Sequence, residues 1–402
     1  PMSPSVSPSG PENPISRLST TAVVLLMTLG TLGQLALNIV LPSLPAIGAE
    51  LQTAPGAEQL VLSVFLIGFA GGQLLVGPLS DRFGRRVILL PGLALYALLG
   101  GAAAMTASLE WLLAARLIQG LGAAAGFVIA RAVARDVFEG PALIRIFGLL
   151  TLTMGIVPGA APVLGGLIED SVGWEVNMLV TAAAGTLIFA LCFFILPETG
   201  TRSDVEFAPS GVVISYISIL KDPTFMRFSG TNALALGSLY AFHAGGPELM
   251  IAQQGISASA YGIVALLHSS AYMGGAAMIT RLGPRIKNTQ RAMAWAVSGM
   301  LASAIAMLAL GLSGNAQVVP ITALMVVFGF GLGATLPLGV AGALSPFKAR
   351  AGAATAVLGA MQMSAGAAAS AVVAFFDSTP EIAFPMVMIA MTGLAVFNAR
   401  RP

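Results

Sequence analysis

Long apolar runs, broken by short polar or glycine- and proline-bearing joints, form the pattern of this chain from about residue 19 onward. Twelve runs cover roughly 19–41, 56–79, 87–107, 110–133, 143–168, 174–196, 225–248, 259–280, 291–312, 318–344, 351–376 and 381–399. Each approaches or exceeds the about 20 residues an α-helix needs to cross a bilayer. None alternates apolar and polar positions, and all are far longer than the about 10 residues of a barrel strand. The pattern predicts an all-α polytopic membrane protein of twelve transmembrane helices, with the lipid bilayer as a partner.

Charge strengthens that picture. Only 9% of the 402 residues are charged, against about 25% in soluble proteins. With the N-terminus placed inside, a twelve-span path puts all but one of the 19 Lys and Arg residues on the same side. The exception is Arg116. The opposite side receives Glu50, Glu58, Glu110, Glu169, Asp170, Glu175, Glu248, Asp377 and Glu381 without one basic residue. Lys and Arg collect on the cytoplasmic face, so a multi-pass protein of the inner (cell) membrane with both termini cytoplasmic is expected. Residues 1–18, rich in Pro and Ser, read as a disordered cytoplasmic tail, because no basic stretch precedes an apolar core as in a signal peptide.

The same inventory excludes several functions. A net charge of +2 and no basic segment interleaved with aromatics argue against nucleic-acid binding. A single cysteine, Cys192, rules out an intrachain disulfide and a cysteine metal cluster. There is no G-x-x-x-x-G-K-[ST] loop, no G-x-S-x-G and no histidine-rich box, so neither ATP drive nor an enzyme is expected, and no cofactor or metal. A monomer acting on a small-molecule substrate is the expectation.

The longest basic-side joint, 197–224, falls midway and carries a short apolar piece, GVVISYISIL, read as an interfacial helix. It divides an N-terminal six-helix bundle, 19–196, from a C-terminal one, 225–402. DRFGRRV after the second run and TRLGPRI after the eighth place Arg82, Gly84 and Arg86 in register with Arg281, Gly283 and Arg285, the echo that a duplicated six-helix unit leaves. Within GPLSDRFGRR, Gly77 and Pro78 are expected to end the second helix, and Gly84 to allow the tight turn into the third. Asp81 can accept from the first turn of a neighbouring helix or from Arg135. Arg82, Arg85 and Arg86 complete a cytoplasmic loop that either serves as a conformational latch or only keeps basic charge inside.

Ionisable and polar groups inside apolar runs are costly and mark functional candidates. Arg116 and Gln119 share one helix face; they either face a central cavity or brace helix packing. Gln34 and Asn38, four apart, share another face. Asn232, Tyr240, His243 and Gln362 complete the expected substrate or coupling set. His243 and His268 titrate near neutrality, although a lone intramembrane histidine is more often simply hydrogen-bonded. Gln73 is expected to pack between helices. In GIVPGAAPVLGG, Gly155, Gly159, Gly165 and Gly166 permit close helix approach, and Pro158 and Pro162 are expected to kink the helix.

Three motifs then resemble a known family. GPLSDRFGRR is similar to the loop signature G-x-L-x-D-R-x-G-R-[KR] of the major facilitator superfamily. RLIQGLGAAAG is similar to the fourth-helix motif of its drug–proton antiporters, and GIVPGAAPVLGG to their fifth-helix antiporter motif. With NIVLPSLP, these look most like the bicyclomycin/chloramphenicol resistance branch. The resemblance implies two pseudo-symmetric six-helix bundles, efflux of small hydrophobic or amphiphilic compounds by alternating access, and a role for Arg116 in proton coupling. The branch usually carries D-x-Y-L-P near the end of the first helix, whereas this chain has Asn38-Ile39-Val40-Leu41-Pro42. Asparagine does not titrate. Proton antiport is therefore expected through another group, such as Glu58 or Glu248, and a facilitator or a specialised exporter, for instance of siderophores, is the alternative.

Overall fold

A computed structural model describes residues 20–200, 209–376 and 379–401. The predicted tail 1–18 with Arg17, the linker stretch 201–208 with Arg202, and Asp377 lie outside the described residues. Backbone groups in hydrocarbon have no water to bond, so they must be satisfied within the segment. The apolar runs accordingly form helices, and no strand occurs among the described residues. In chain order these are α1 (Thr20–Asn38), the short α2 (Leu44–Glu50), α3 (Leu60–Phe83), α4 (Arg85–Ala104), α5 (Leu109–Val137), α6 (Gly140–Val172) and α7 (Trp174–Ile195). After these come α8 (Pro209–Leu220), α9 (Pro223–Pro247), α10 (Ala258–Leu282), α11 (Thr289–Leu312), α12 (Val318–Leu344), α13 (Ala351–Ala374) and α14 (Pro380–Arg400).

Eleven helical segments are long and apolar enough to cross a membrane. The twelfth, α9, is as long but more polar. Its Ser229, Thr231, Asn232 and Ser238 are fully buried among protein. Packed against α12, α13 and α14, it meets side chains where an outer helix meets lipid, so its polar groups find partners.

The second helix departs from the expected ending. Gly77 and Pro78 lie inside α3, which continues to Phe83. Proline removes one backbone N–H and so frees the carbonyl four residues earlier, that of Leu74. The hydroxyl of Tyr216 on α8 donates to that carbonyl at 2.9 Å, which lets the helix run through Pro78 with its backbone satisfied. Termination comes at Gly84, whose φ of +106° suits a residue without Cβ.

α1 and α3–α7 pack as one group and α9–α14 as another, joined by α6 against α10 and α3 against α13. The molecule has the fold of the superfamily that the motifs resemble, two six-helix bundles side by side. Its two ends differ chemically. Helix ends carrying Asp81, Arg85 and Arg135, with Glu198 just after α7, meet at one end, the basic end; Glu50, Glu58, Asp170 and Glu175 mark the other, the acidic end.

Candidate functional site

At the basic end a cavity of about 650 Å³ opens between the two groups of helices, walled by α3, α5, α8 and α13. Gln73, Asp81, Arg131, Arg135 and Tyr216 are among its lining residues. Gln73 stands at its inner end, 2% exposed, directly against Gly359 of α13, where a Cβ would collide with its amide. Arg131 lies with its guanidinium 3.7 Å from the Phe127 ring centroid and donates to the Phe127 carbonyl at 3.1 Å. Tyr216 keeps its proton, because burial and then the Asp81 carboxylate push its phenol up to about 12.

The loop signature at the cavity mouth is knit by charge. Arg85 donates to Asp81 and, through Nε at 2.9 Å, to Asp136. Asp81 thus meets the first residue of α4 rather than Arg135; Arg135 instead donates to the Arg131 carbonyl at 3.4 Å and sits against Gly352 in the first turn of α13. Arg86 donates to the carbonyls of Leu196 at 2.9 Å and Phe193 at 2.6 Å. Glu198 accepts from the backbone N–H groups of Arg85 at 2.7 Å and Arg86 at 3.1 Å, satisfying free donors of the first turn of α4. A Cβ on Gly84 would stand 2.6 Å from that carboxylate.

Arg116 is fully buried in the N-terminal half and is not among the cavity-lining residues. Its Nη1 donates to Gln119 Oε1 at 2.7 Å and its Nη2 to the Ala36 carbonyl at 2.9 Å, and its guanidinium lies 4.3 Å from the Phe65 ring centroid. Ala36 offers one of the last four carbonyls of α1, which lack helical partners and favour a cation. Gln119 passes the chain on to Thr181 at 3.1 Å. Asn38, 2% exposed, donates to the Gln34 carbonyl at 2.8 Å and to its side-chain oxygen at 3.3 Å.

The expected residues of the C-terminal half form a separate set. Gln362 donates to Asn232 Oδ1 at 2.5 Å, and Asn232 donates to the Leu336 carbonyl at 2.9 Å. Tyr240 and His243 meet edge-on with ring centroids 5.6 Å apart. The hydrogen bonds join the polar residues in small separate sets within each half, Arg116 with Gln119 and Thr181, Asn38 with Gln34, and Gln362 with Asn232, rather than around one shared pocket. Glu58, 5% exposed, accepts from Thr53 at 3.4 Å beside α2, and Glu248 begins a π-helical turn just after α9.

The glycine- and proline-rich stretch lies along the contact between halves. Pro158 and Pro162 sit within one continuous α6, so they do not interrupt it. Gly155 faces Met273, Gly159 faces Ser269, and Gly166 meets the Ala258 carbonyl, all on α10; Gly165 meets the Ile39 carbonyl instead. At the acidic end, Asp170 of α6 accepts from the N–H groups of Ala258 and Ser259, both at 3.0 Å, capping α10 across the halves. Ser370 of α13 donates to the Gln59 carbonyl at 3.3 Å. The acidic end is therefore bridged while the basic end is open.

Sequence reading placed Asp170 only as an acidic-side charge and passed over Asp136, Glu198, Thr181 and Tyr216. Their partners lie 88, 51, 113, 62 and 142 residues away, beyond the reach of helix periodicity. Only the polar character of PETG just after the sixth run hinted at Glu198.

Residues 26–371 match the family model of the Major Facilitator Superfamily. The chain is 29% identical over 369 residues to multidrug resistance protein D of Escherichia coli strain K12, covering 90% of this chain and 91% of that protein. It is 30% identical over 227 residues to the bicyclomycin resistance protein homolog of Haemophilus influenzae, covering 56% of this chain and 57% of that one. The fold superposes on the crystal structure of a D-xylose-proton symporter with a TM-score of 0.73 at 14% identity, covering 95% of this chain and 97% of the other.

Proposed function

Since the chain belongs to the Major Facilitator Superfamily, we propose that it is a secondary exporter rather than an enzyme, moving small hydrophobic or amphiphilic compounds by alternating access. The observation that carries the reading is the asymmetry of the two ends. A cavity of about 650 Å³ between the halves opens at the basic end, while Asp170 and the start of α10 bridge the halves at the acidic end. With the basic end toward the cytoplasm, this is the conformation that takes up cargo from inside. Relatives named for multidrug and bicyclomycin resistance support compounds of drug size as cargo, and Phe127 and Val128 supply apolar wall.

Release on the far side requires the acidic-end bridges to part and the basic-end cavity between α3, α5 and α13 to close. Arg85, held between Asp81 and Asp136, ties α3, α4 and α5 into a rigid unit at the mouth. Exchange of a proton for cargo is the proposed drive. Asn38, which cannot titrate and is bonded to Gln34, favours a facilitator as the second reading.

Accumulation of ethidium and of chloramphenicol in cells with and without the protein tests the export reading. Lower accumulation of at least one probe in expressing cells is expected; equal accumulation of both overturns it.

A further inference from the structure

His243 and His268, on different helices of the C-terminal half, meet with ring centroids 6.5 Å apart and planes at 86°. Both are buried, at 6% and 4% exposure. His268 Nδ1 lies 3.2 Å from the Met325 carbonyl; a carbonyl only accepts, so Nδ1 carries the hydrogen and Nε2 keeps a lone pair. His243 Nδ1 has no hydrogen-bond partner among the described residues, and neither has the hydroxyl of Tyr261. Tyr261 stacks on Phe242 with centroids 6.4 Å apart, and Phe242 in turn borders His243 at 6.3 Å. An unmade hydrogen bond on a buried group leaves its desolvation uncompensated. One such group belongs to the imidazole pair itself and the other sits one ring away across Phe242, which marks a place kept for something other than packing.

The ionisable neighbours are few. α9 contributes Tyr240 and, toward the basic end, Arg227; the turn after it contributes Glu248. From α10 come Tyr261, His268, Tyr272 and Arg281. α6, packed along α10, carries Glu169 and Asp170 at the acidic end and Arg145 toward the basic end; α12 and α13 carry no ionisable residue, α14 carries Glu381 and Arg400 near its ends, and α8 carries Tyr216 at the basic end. Every acidic residue of the twelve long helices lies within one turn of a helix end. The two histidines are the only ones in the chain, and imidazole is the side chain that ordinarily titrates between pH 5 and 8.

We infer that the His243–His268 pair is the proton-binding site that couples transport in this chain, in place of the first helix, where Asn38 stands. The inference rests on the exporter reading and specifies its coupling group. An imidazole lone pair takes a proton from water when the acidic end opens, and the imidazolium gives it up to water as the halves rock toward the basic-end-open conformation, before the rings are sealed there. In the conformation described the rings are sealed without a carboxylate, where a cation would go uncompensated, so both are neutral. The pair is placed to sense opening. Ser269, next to His268, lies against Gly159 of α6, at the contact that must slide when the halves rock.

Full-length protein labelled with ¹⁵N-histidine and held in bilayers tests this directly, since two imidazoles account for every signal. At least one ring is expected to pass between neutral and cationic forms between pH 5 and 9; two rings neutral throughout overturn the inference. In proteoliposomes, wild type is expected to exchange ethidium or chloramphenicol downhill without a pH gradient, and His243→Gln and His268→Gln are each read as gradient-driven uptake relative to their own downhill exchange. Gradient-driven uptake is expected in wild type and about tenfold lower in both variants. Undiminished gradient-driven uptake in both variants overturns the histidine assignment, whereas wild type exchanging neither probe overturns the exporter reading itself.

Discussion

Arg116 shows how one side chain makes a buried charge tolerable in a membrane core. Its guanidinium has a side-chain oxygen, a helix-end carbonyl and an aromatic face as partners, so its planar fork is used in several directions at once. Lysine offers a point charge without that geometry. Arg116→Lys is expected to fold but to lose efflux at least tenfold. Arg116→Ala is expected to lower stability by about 1–3 kcal/mol, because the Ala36 carbonyl and the Gln119 oxygen lose their buried donor. Ethidium efflux together with the thermal midpoint of purified protein checks both; wild-type efflux in Arg116→Lys would show that only the charge matters. That Arg116 is special was readable from its position in an apolar run. That it closes the end of α1 was not, because Ala36 lies 80 residues away.

At the scale of elements, α8 and α3 hold each other through a defect. Pro78 leaves the Leu74 carbonyl without its helical donor, and Tyr216 supplies one from outside the helix. Tyr216→Phe keeps the ring and removes the donor, so residues 209–220 are expected to exchange backbone hydrogens about five- to tenfold faster while α3 is little changed. Pro78→Ala in the same background restores a helical N–H for Leu74 and is expected not to re-protect α8. Hydrogen exchange read by mass spectrometry decides; unchanged exchange in Tyr216→Phe means that apolar packing alone seats α8. Proline in a sequence reads as a helix end, which is why the second helix was expected to stop at Gly77 and Pro78. The carbonyl partner that lets it continue comes from an element 142 residues on.

For the whole molecule, the two halves meet through glycine faces and end-caps, contacts that separate without tearing a core. Gly166 lets α6 reach the start of α10. Gly166→Leu is expected to hold the acidic end apart and reduce efflux at least tenfold, with the thermal midpoint little changed since each half keeps its own packing. Cysteine-labelling access at the acidic end, expected to rise, provides the check; unchanged labelling and efflux would show that this contact is not part of the gate. The number of helices, their separation into halves and the concentration of basic residues at one end were decided by sequence alone. They follow from the length and apolarity each span needs and from where Lys and Arg can reside. Which polar groups meet was decided only by the tertiary structure. Helix periodicity assigns each residue a face but not the helix opposite, and it is the meeting of faces that gives Arg116, Asp170 or His243 its partner or leaves it without one.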